Sequence, residues 1–111
     1  MAKVFIINKG SHDYSDAQRY GEIVYITEGS VNKFDVSQMF RECDSALASS
    51  EADDYILLTS LTTLCSVACA IFGRKHGRLN LLLFKDDRYV ERRLVLNGSA
   101  DPIVRTKRKL S

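Results

Sequence analysis

The sequence lacks the features that mark membrane-embedded and exported proteins. Its most apolar stretch, residues 65–72, is interrupted by Ser66 and falls far short of the ~20 residues that a membrane-spanning helix needs. Only four apolar residues follow Lys3 before polar residues begin, so we expect no secretory signal peptide. Three cysteines cannot all pair with one another, and free thiols are the default in a reducing compartment. These absences favour a cytoplasmic protein.

The charge of the chain is nearly balanced, and its positive excess lies near the end of the sequence. Sixteen Lys and Arg oppose fourteen Asp and Glu, which gives a net charge of +2. Residues 101–111 hold four basic residues and one acidic residue, so the rest of the chain has twelve basic against thirteen acidic residues. A nucleic-acid-binding domain usually carries a basic face, so we expect no nucleic acid on the body of the protein. For the basic tail, residues 99–111, contact with phosphate groups or an acidic surface is the alternative to a solvated flexible end.

The length and the hydrophobic pattern predict one α/β domain at residues 1–98. Hydrophobic residues make up 45% and charged residues 27%, as in ordinary globular proteins. Apolar runs rich in β-branched and aromatic residues predict strands at 3–8, 22–27, 55–59, 79–84 and 89–96. Apolar residues at helical spacing predict two main helices, at 36–48 and 63–76. Before the first helix, Asp35 and Gln38 match a capping box, and Phe34 with Met39 matches a hydrophobic staple.

The order of these elements predicts a small two-layer or three-layer protein with a sheet of about five strands. Strand–helix–strand units favour parallel pairing, and the four residues 85–88 between the last two strands favour an antiparallel C-terminal hairpin. The second helix is apolar nearly all the way round, so it is either buried on several sides or in contact with a partner. A second copy of the chain is one such partner.

The parallel strands also predict where a ligand or partner would bind. In open parallel sheets, ligands bind beyond the carboxyl ends of the strands. Three polar segments should gather there: residues 8–15, 28–32 and 59–63. Two of them approach helix N-termini, which favour phosphate, although the same residue types also serve ordinary turns and caps. The candidate binding residues are Asn8, Lys9, Gly10, Ser11, His12, Asp13, Tyr14, Thr27, Glu28, Gly29, Ser30, Thr59, Ser60, Thr62 and Thr63.

No motif of a known catalytic or nucleotide-binding class is present. The sequence has neither GxGxxG nor GxxxxGK[ST], and no serine lies in GxSxG. His12 and Asp13 allow a hydrolase interpretation, but an Asp in such a loop more commonly organises a turn. Cys65, Cys69 and His76 lie on one helical stripe, but Cys65 and His76 would be ~16 Å apart, too far to share a metal ion. We therefore expect no catalytic residues, no cofactor and no metal.

Three stretches of the chain resemble small proteins of unassigned function that tailed bacteriophages encode. The stretches are INKGSHDYSDAQRYG, DYILLTSLTTLCSVACAIFGRKHGRLNLLLF and YVERRLVL, so the resemblance covers residues 4–96. It implies a phage accessory protein that acts in the bacterial cytoplasm, and it assigns no active site. The leading hypothesis is a non-catalytic protein that binds and modulates a component of the host bacterium. A defence protein of the host is one such component. The alternative is a module that binds and sequesters a nucleotide or another phosphorylated small molecule.

Overall fold

The computed structural model describes residues 1–97, and the predicted basic tail lies outside the described residues. Residues 1–97 form five strands, two α-helices and one short 3-10 helix, η1. The strands are β1 (Lys3–Lys9), β2 (Glu22–Glu28), β3 (Tyr55–Leu57), β4 (Arg78–Lys85) and β5 (Arg88–Val95). The helices are η1 (Ser15–Arg19), α1 (Val36–Leu47) and α2 (Thr62–His76).

The five strands form a single mixed sheet in the order β2-β1-β3-β4-β5. Strand β1 pairs in parallel with β2 and with β3, and β3 pairs in parallel with β4. Strands β4 and β5 pair antiparallel across a two-residue turn, Asp86 and Asp87, whose φ angles of 53° and 65° are typical of primed hairpin turns. The predicted α/β fold, with mostly parallel strands and a C-terminal hairpin, is confirmed. The chain leaves β1 towards one edge of the sheet and leaves β3 towards the other, so the connections change direction between these two strands.

The two faces of the sheet are covered to very different extents. On one face, Phe5 and Ile7 of β1 pack under both α-helices in the larger hydrophobic cluster. On the other face, Val4 and Ile6 pack with η1, in a smaller cluster that contains Ala17. All four β1 side chains are fully buried, which explains why the sequence of β1 is continuously apolar.

Helix α2 is apolar on most sides because it is packed on most sides. It contacts α1, β1 and β4, and Leu64, Ala68 and Phe72 are buried in the larger cluster. None of the large apolar residues that are exposed within residues 1–97 belongs to α2. Burial within the domain therefore accounts for the pattern without a second copy of the chain.

The start of α1 matches the prediction in part. Asp35 caps the helix, with its Oδ1 accepting a hydrogen bond from the backbone N–H of Gln38 at 3.1 Å. The predicted staple between Phe34 and Met39 is wrong, because Phe34 is 92% exposed whereas Met39 is buried. The backbone N–H of Asp35 donates to the carbonyl of Asn32, which forms a turn just before the helix. Phe34 lies in this turn, and its side chain faces solvent and does not pack on the helix.

The end of α1 is capped by side chains from the end of α2. The Nζ of Lys75 donates to the carbonyls of Leu47 at 3.0 Å and Ala48 at 2.7 Å, placing a cation at the negative end of the helix dipole. Beside it, Nε2 of His76 lies 2.9 Å from the hydroxyl of Ser50, which donates to the carbonyl of Leu47. Burial lowers the pKa of His76, and the neighbouring Lys75 charge lowers it further.

Candidate functional site

The parallel register brings the carboxyl ends of β1, β2 and β3 to one edge of the sheet, called the rim below. The polar side chains at the ends of β1 and β2 are bonded to one another. Asn8 donates through Nδ2 to the carbonyl of Gly29 at 3.0 Å, and the hydroxyl of Thr27 donates to Oδ1 of Asn8 at 2.7 Å. The backbone N–H of Gly29 donates to the carbonyl of Lys9. These groups therefore hold two loops together rather than face a ligand.

Two small hollows lie beside α1 and α2 at the rim. The first, of about 140 Å³, lies between the end of β2 and the start of α1, and its lining includes the carboxylates of Glu28, Asp35 and Glu42. Such a lining disfavours a phosphate. The second, of about 70 Å³, lies over the first turn of α2, and its lining includes Lys33 and Thr62. It also includes the predicted residues Ser60 and Thr63.

The larger rim cavity lies where the connections change direction, between the loops after β1 and β3. It has a volume of about 350 Å³, within the range of small-molecule sites. This position is where ligands bind in open α/β sheets. We call it the aromatic crevice, and its principal lining residues are His12, Tyr14, Thr59, Ser60, Phe84 and Tyr89.

The aromatic side chains of the crevice contact one another edge to face or at a tilt. The His12 ring is T-shaped against Phe84, with centroids 5.7 Å apart, and its centroid is 5.0 Å from that of Tyr14. Phe84 also packs against Tyr89 at 5.1 Å. Such pairs fix ring orientations beyond what apolar burial alone would do.

Helix η1 holds the Tyr89 backbone in place. Oδ2 of Asp16 accepts a hydrogen bond from the backbone N–H of Tyr89 at 2.7 Å. The guanidinium of Arg19 and the hydroxyl of Tyr20 both donate to the carbonyl of Tyr89. These bonds also cover the start of the otherwise open edge of β5, where unpaired backbone groups are a liability.

Burial raises the pKa of both phenols in the crevice above its ordinary value. It raises the pKa of Tyr14, and it raises the pKa of Tyr89 to about 12, with the nearby Tyr14 and Asp16 adding to the effect. Both hydroxyls therefore keep their protons at neutral pH and can donate a hydrogen bond. The Tyr14 hydroxyl lies 3.4 Å from the carbonyl of Asn8 and donates to it.

The remaining predicted site residues have other roles. Oδ1 of Asp13 accepts a hydrogen bond from the backbone N–H of Ser15 at 2.9 Å, and this bond lowers the pKa of Asp13. Asp13 thus organises a turn. Gly10 and Ser11 are exposed and line none of the hollows described here. Within residues 1–97 no three potential metal ligands are grouped together.

Three residues that line the crevice, Leu58, Phe84 and Tyr89, are absent from the sequence-based prediction, and the last two are aromatic. Both aromatic residues come from the hairpin of β4 and β5. Because β4 is parallel to β3, its carboxyl end lies at the same rim, and Phe84 is near that end. The predicted parallel direction of β4 was a signal that could have found Phe84. No sequence signal pointed to Tyr89, whose position depends on the hairpin and on η1.

A second exposed feature lies on the helical face of the protein. Val36 and Phe40, one helical turn apart on α1, are 54% and 51% exposed, and Phe34 lies just before the helix. Phe40 also lines a groove of about 440 Å³ between α1 and α2, together with Leu47 and Ile71. We call Phe34, Val36 and Phe40 the α1 apolar surface.

The fold is that of a small α/β protein with a cavity at its rim. A family model described as Phage Pam3 gp32-like protein matches residues 2–96, and the chain belongs to that family. It is therefore a bacteriophage protein, as the sequence resemblance implied. The comparisons with curated proteins and with solved structures gave no match. Neither helix within residues 1–97 has the length and hydrophobicity that crossing a membrane would require.

Proposed function

We propose that this phage protein binds a protein of its bacterial host in the cytoplasm and modulates it without carrying out a reaction. The α1 apolar surface carries the proposal. Large apolar side chains exposed side by side are typical of protein-binding surfaces. Phe34 at 92% exposure is the most exposed aromatic residue of the described chain, and no packing within the domain accounts for it.

The surroundings of the α1 apolar surface also suit a protein partner. The adjoining groove has an apolar floor formed by Leu47 and Ile71 and a polar rim that includes Asp44 and Arg74. An apolar centre with a polar rim is the usual composition of a protein interface. Aromatic residues such as Phe40 contribute much of the contact area in such interfaces.

The test is retention of a host protein by the full-length chain and its variants. The tagged protein is incubated with host lysate, and retained proteins are identified and quantified by mass spectrometry. Phe34→Ser and Phe40→Ser should each abolish retention of the partner. Phe84→Ser is the matched control, because Phe84 is 53% exposed, nearly as much as Phe40, but lies at the crevice. Phe34→Ser should change stability by less than about 0.5 kcal/mol, as is usual at exposed sites. Phe40→Ser and Phe84→Ser remove half-buried rings and should cost more, about equally, so circular dichroism checks that both remain folded.

Two results would contradict this proposal. One is the absence of any host protein that is retained by the wild type and lost in both α1 variants. The other is a partner lost in Phe84→Ser but kept in Phe34→Ser and Phe40→Ser, which would assign the contact to the rim.

A second candidate function is the binding of a nucleotide or another phosphorylated small molecule at the rim. The observation that favours it is the adjacency of the aromatic crevice and the hollow over α2, which share Ser60. The hollow contains the Lys33 side chain and the start of a 15-residue helix whose N-cap makes no side-chain hydrogen bond. Lys33 and the helix dipole both favour an anion there.

Thermal shift measurements test the second candidate. A nucleotide at 100 times its dissociation constant stabilises the folded state by ~2.7 kcal/mol. Lys33→Gln should reduce the shift caused by phosphorylated ligands, and Lys85→Gln, a change of charge outside both cavities, should not. Equal shifts for the wild type and Lys33→Gln, or no shift with any nucleotide, would exclude it.

A further inference from the structure

The aromatic crevice contains a tyrosine hydroxyl that has no hydrogen-bond partner within residues 1–97. Tyr89 lines the crevice and is only 2% exposed, yet no described residue hydrogen-bonds to its hydroxyl. The buried side-chain atoms without a partner in this part of the chain are Nε of Arg78 and Oδ1 of Asn80, so the unpartnered Tyr89 hydroxyl is open to the crevice. The Tyr89 ring packs against the rings of Tyr14 and Phe84, which holds its orientation. The hydroxyl, protonated at neutral pH, is a donor available to a bound molecule.

The crevice also presents an exposed aromatic ring. Phe84 is 53% exposed, although the rings of His12 and Tyr89 pack against it. An exposed ring that is held by two neighbours loses little side-chain entropy when another ring packs on it. Base–aromatic stacking of this kind contributes substantially to nucleic-acid ligand binding and tolerates any base, because every base has a π-face.

Small polar groups from the loop after β3 also line the crevice. Thr59 and Ser60 follow β3, and both line the cavity. The hydroxyl of Thr59 already accepts a hydrogen bond from the backbone N–H of Leu61. Ser60 is exposed, and its hydroxyl can donate or accept. The crevice therefore combines aromatic rings with the hydrogen-bonding groups of Ser60 and Tyr89.

We propose that the aromatic crevice binds the nucleobase of a nucleoside or nucleotide, with the base packed on Phe84 and its heteroatoms bonded to Tyr89 and Ser60. A heteroaromatic ring fits this lining, because it stacks on Phe84 and offers acceptors to the Tyr89 hydroxyl. An aliphatic or purely hydrocarbon ligand would leave that hydroxyl unpaired. The inference deepens the second candidate function above, but it depends on the crevice and not on the hollow over α2.

Calorimetric titration of the full-length protein with nucleosides tests the proposal without a phosphate. The four common ribonucleosides serve as probes, with inorganic phosphate and phenylalanine amide as comparison ligands. Phenylalanine amide carries a ring without heteroatoms. At least one nucleoside should bind, and phosphate and phenylalanine amide should bind more weakly. Phe84→Leu should weaken nucleoside binding at least about fivefold, as expected from the loss of one stacking contact.

Two further variants separate the hydrogen bond from general damage to the fold. Tyr89→Phe removes only the hydroxyl and should weaken binding about fivefold, as expected for one hydrogen bond. Phe40→Leu is the matched control, with an exposure of 51% on the opposite face, and should bind as the wild type does. Circular dichroism checks that all variants are folded.

Each other outcome overturns the inference. It fails if no nucleoside binds at its solubility limit, or if binding is the same in wild type, Phe84→Leu and Tyr89→Phe. It also fails if phenylalanine amide binds as tightly as the nucleosides. If nucleotides bind but nucleosides do not, the crevice is not the base site, while the second candidate function stands.

Discussion

Replacement of Asp54 by alanine should be among the most damaging single changes outside the hydrophobic core. Asp54 lies just before β3 and is 2% exposed. Its Oδ1 accepts a hydrogen bond from the backbone N–H of Lys3 at 2.8 Å, and its Oδ2 accepts one from that of Glu51 at 2.7 Å. The carboxylate thereby ties the start of β1 to the loop that precedes β3.

The expected loss of stability follows from the two backbone N–H donors that Asp54→Ala leaves without an acceptor. A donor left unsatisfied costs about 1–3 kcal/mol, and the donor at the exposed Glu51 can regain water, so we expect a total loss of about 2–4 kcal/mol. With a urea m-value of about 2 kcal/mol/M, the middle of the usual range, the unfolding midpoint should fall by about 1–2 M. Asp54→Asn retains one acceptor and should lose about half as much.

Urea unfolding followed by circular dichroism measures this effect. Asp53→Ala is the matched control, because the neighbouring Asp53 side chain is 81% exposed and makes only a 4.0 Å ion pair with Arg78. The free energy of unfolding of Asp53→Ala should change by less than about 0.5 kcal/mol. The reasoning is refuted if Asp54→Ala and Asp53→Ala lower the midpoint equally.

Three further predictions concern titration and packing. Because burial lowers the folded-state pKa of His76, protonation favours the unfolded chain. The Tm should therefore fall as the pH drops from about 7 to about 5, and His76→Gln should flatten this fall, whereas an unchanged slope would contradict it. Gly21→Ala places a Cβ 2.2 Å from the carbonyl oxygen of Ala2 and should cost about 1–3 kcal/mol in chemical unfolding. Gly10→Ala, in open space, should not cost more than about 0.5 kcal/mol. Burial raises the pKa of Cys43 to about 12, so this thiol should resist alkylation at pH 8 until urea unfolds the chain; rapid labelling in the native state would contradict it.

The sequence was sufficient to predict most of the fold because each apolar run reflects how its element is covered. Strand β1 reads as continuously apolar because both faces are buried, and α2 reads as apolar all round because it packs on several sides. These patterns depend on local burial alone. The direction of the strands then follows from the order of the elements, without knowledge of any particular contact.

Predictions that depended on single contacts were less successful. Strand β3 was predicted to run to residue 59 but ends at Leu57, because the backbone N–H of Thr59 donates to Sγ of Cys65 instead of to a strand. Leucine and threonine both suit a strand, so no propensity reveals this. The predicted packing of Phe34 on Met39 is also wrong. Its sequence spacing matches a staple, but the Phe34 side chain faces solvent.

The candidate site was predicted in position but only partly in composition. His12, Tyr14, Thr59 and Ser60 were predicted, and all four line the crevice. Asn8 belongs to the same loops but bonds to Gly29 and Thr27. Polar composition alone cannot distinguish a side chain that bonds to a neighbouring loop from one that faces a cavity.

The aromatic character of the crevice follows from the unequal cover of the sheet. Two α-helices cover one face, whereas the five-residue η1 covers only part of the other. All five tyrosines lie in or against the cluster on the η1 side, and none belongs to the cluster under the helices. A tyrosine spans a wide apolar gap and still places its hydroxyl where a carbonyl or water can bind it. Tyr20 does so by donating to the carbonyl of Tyr89, and Tyr14 by donating to that of Asn8. The Tyr89 hydroxyl has no such acceptor among residues 1–97, and because Tyr89 lines the cavity, its hydroxyl can bond to water or to a bound molecule there.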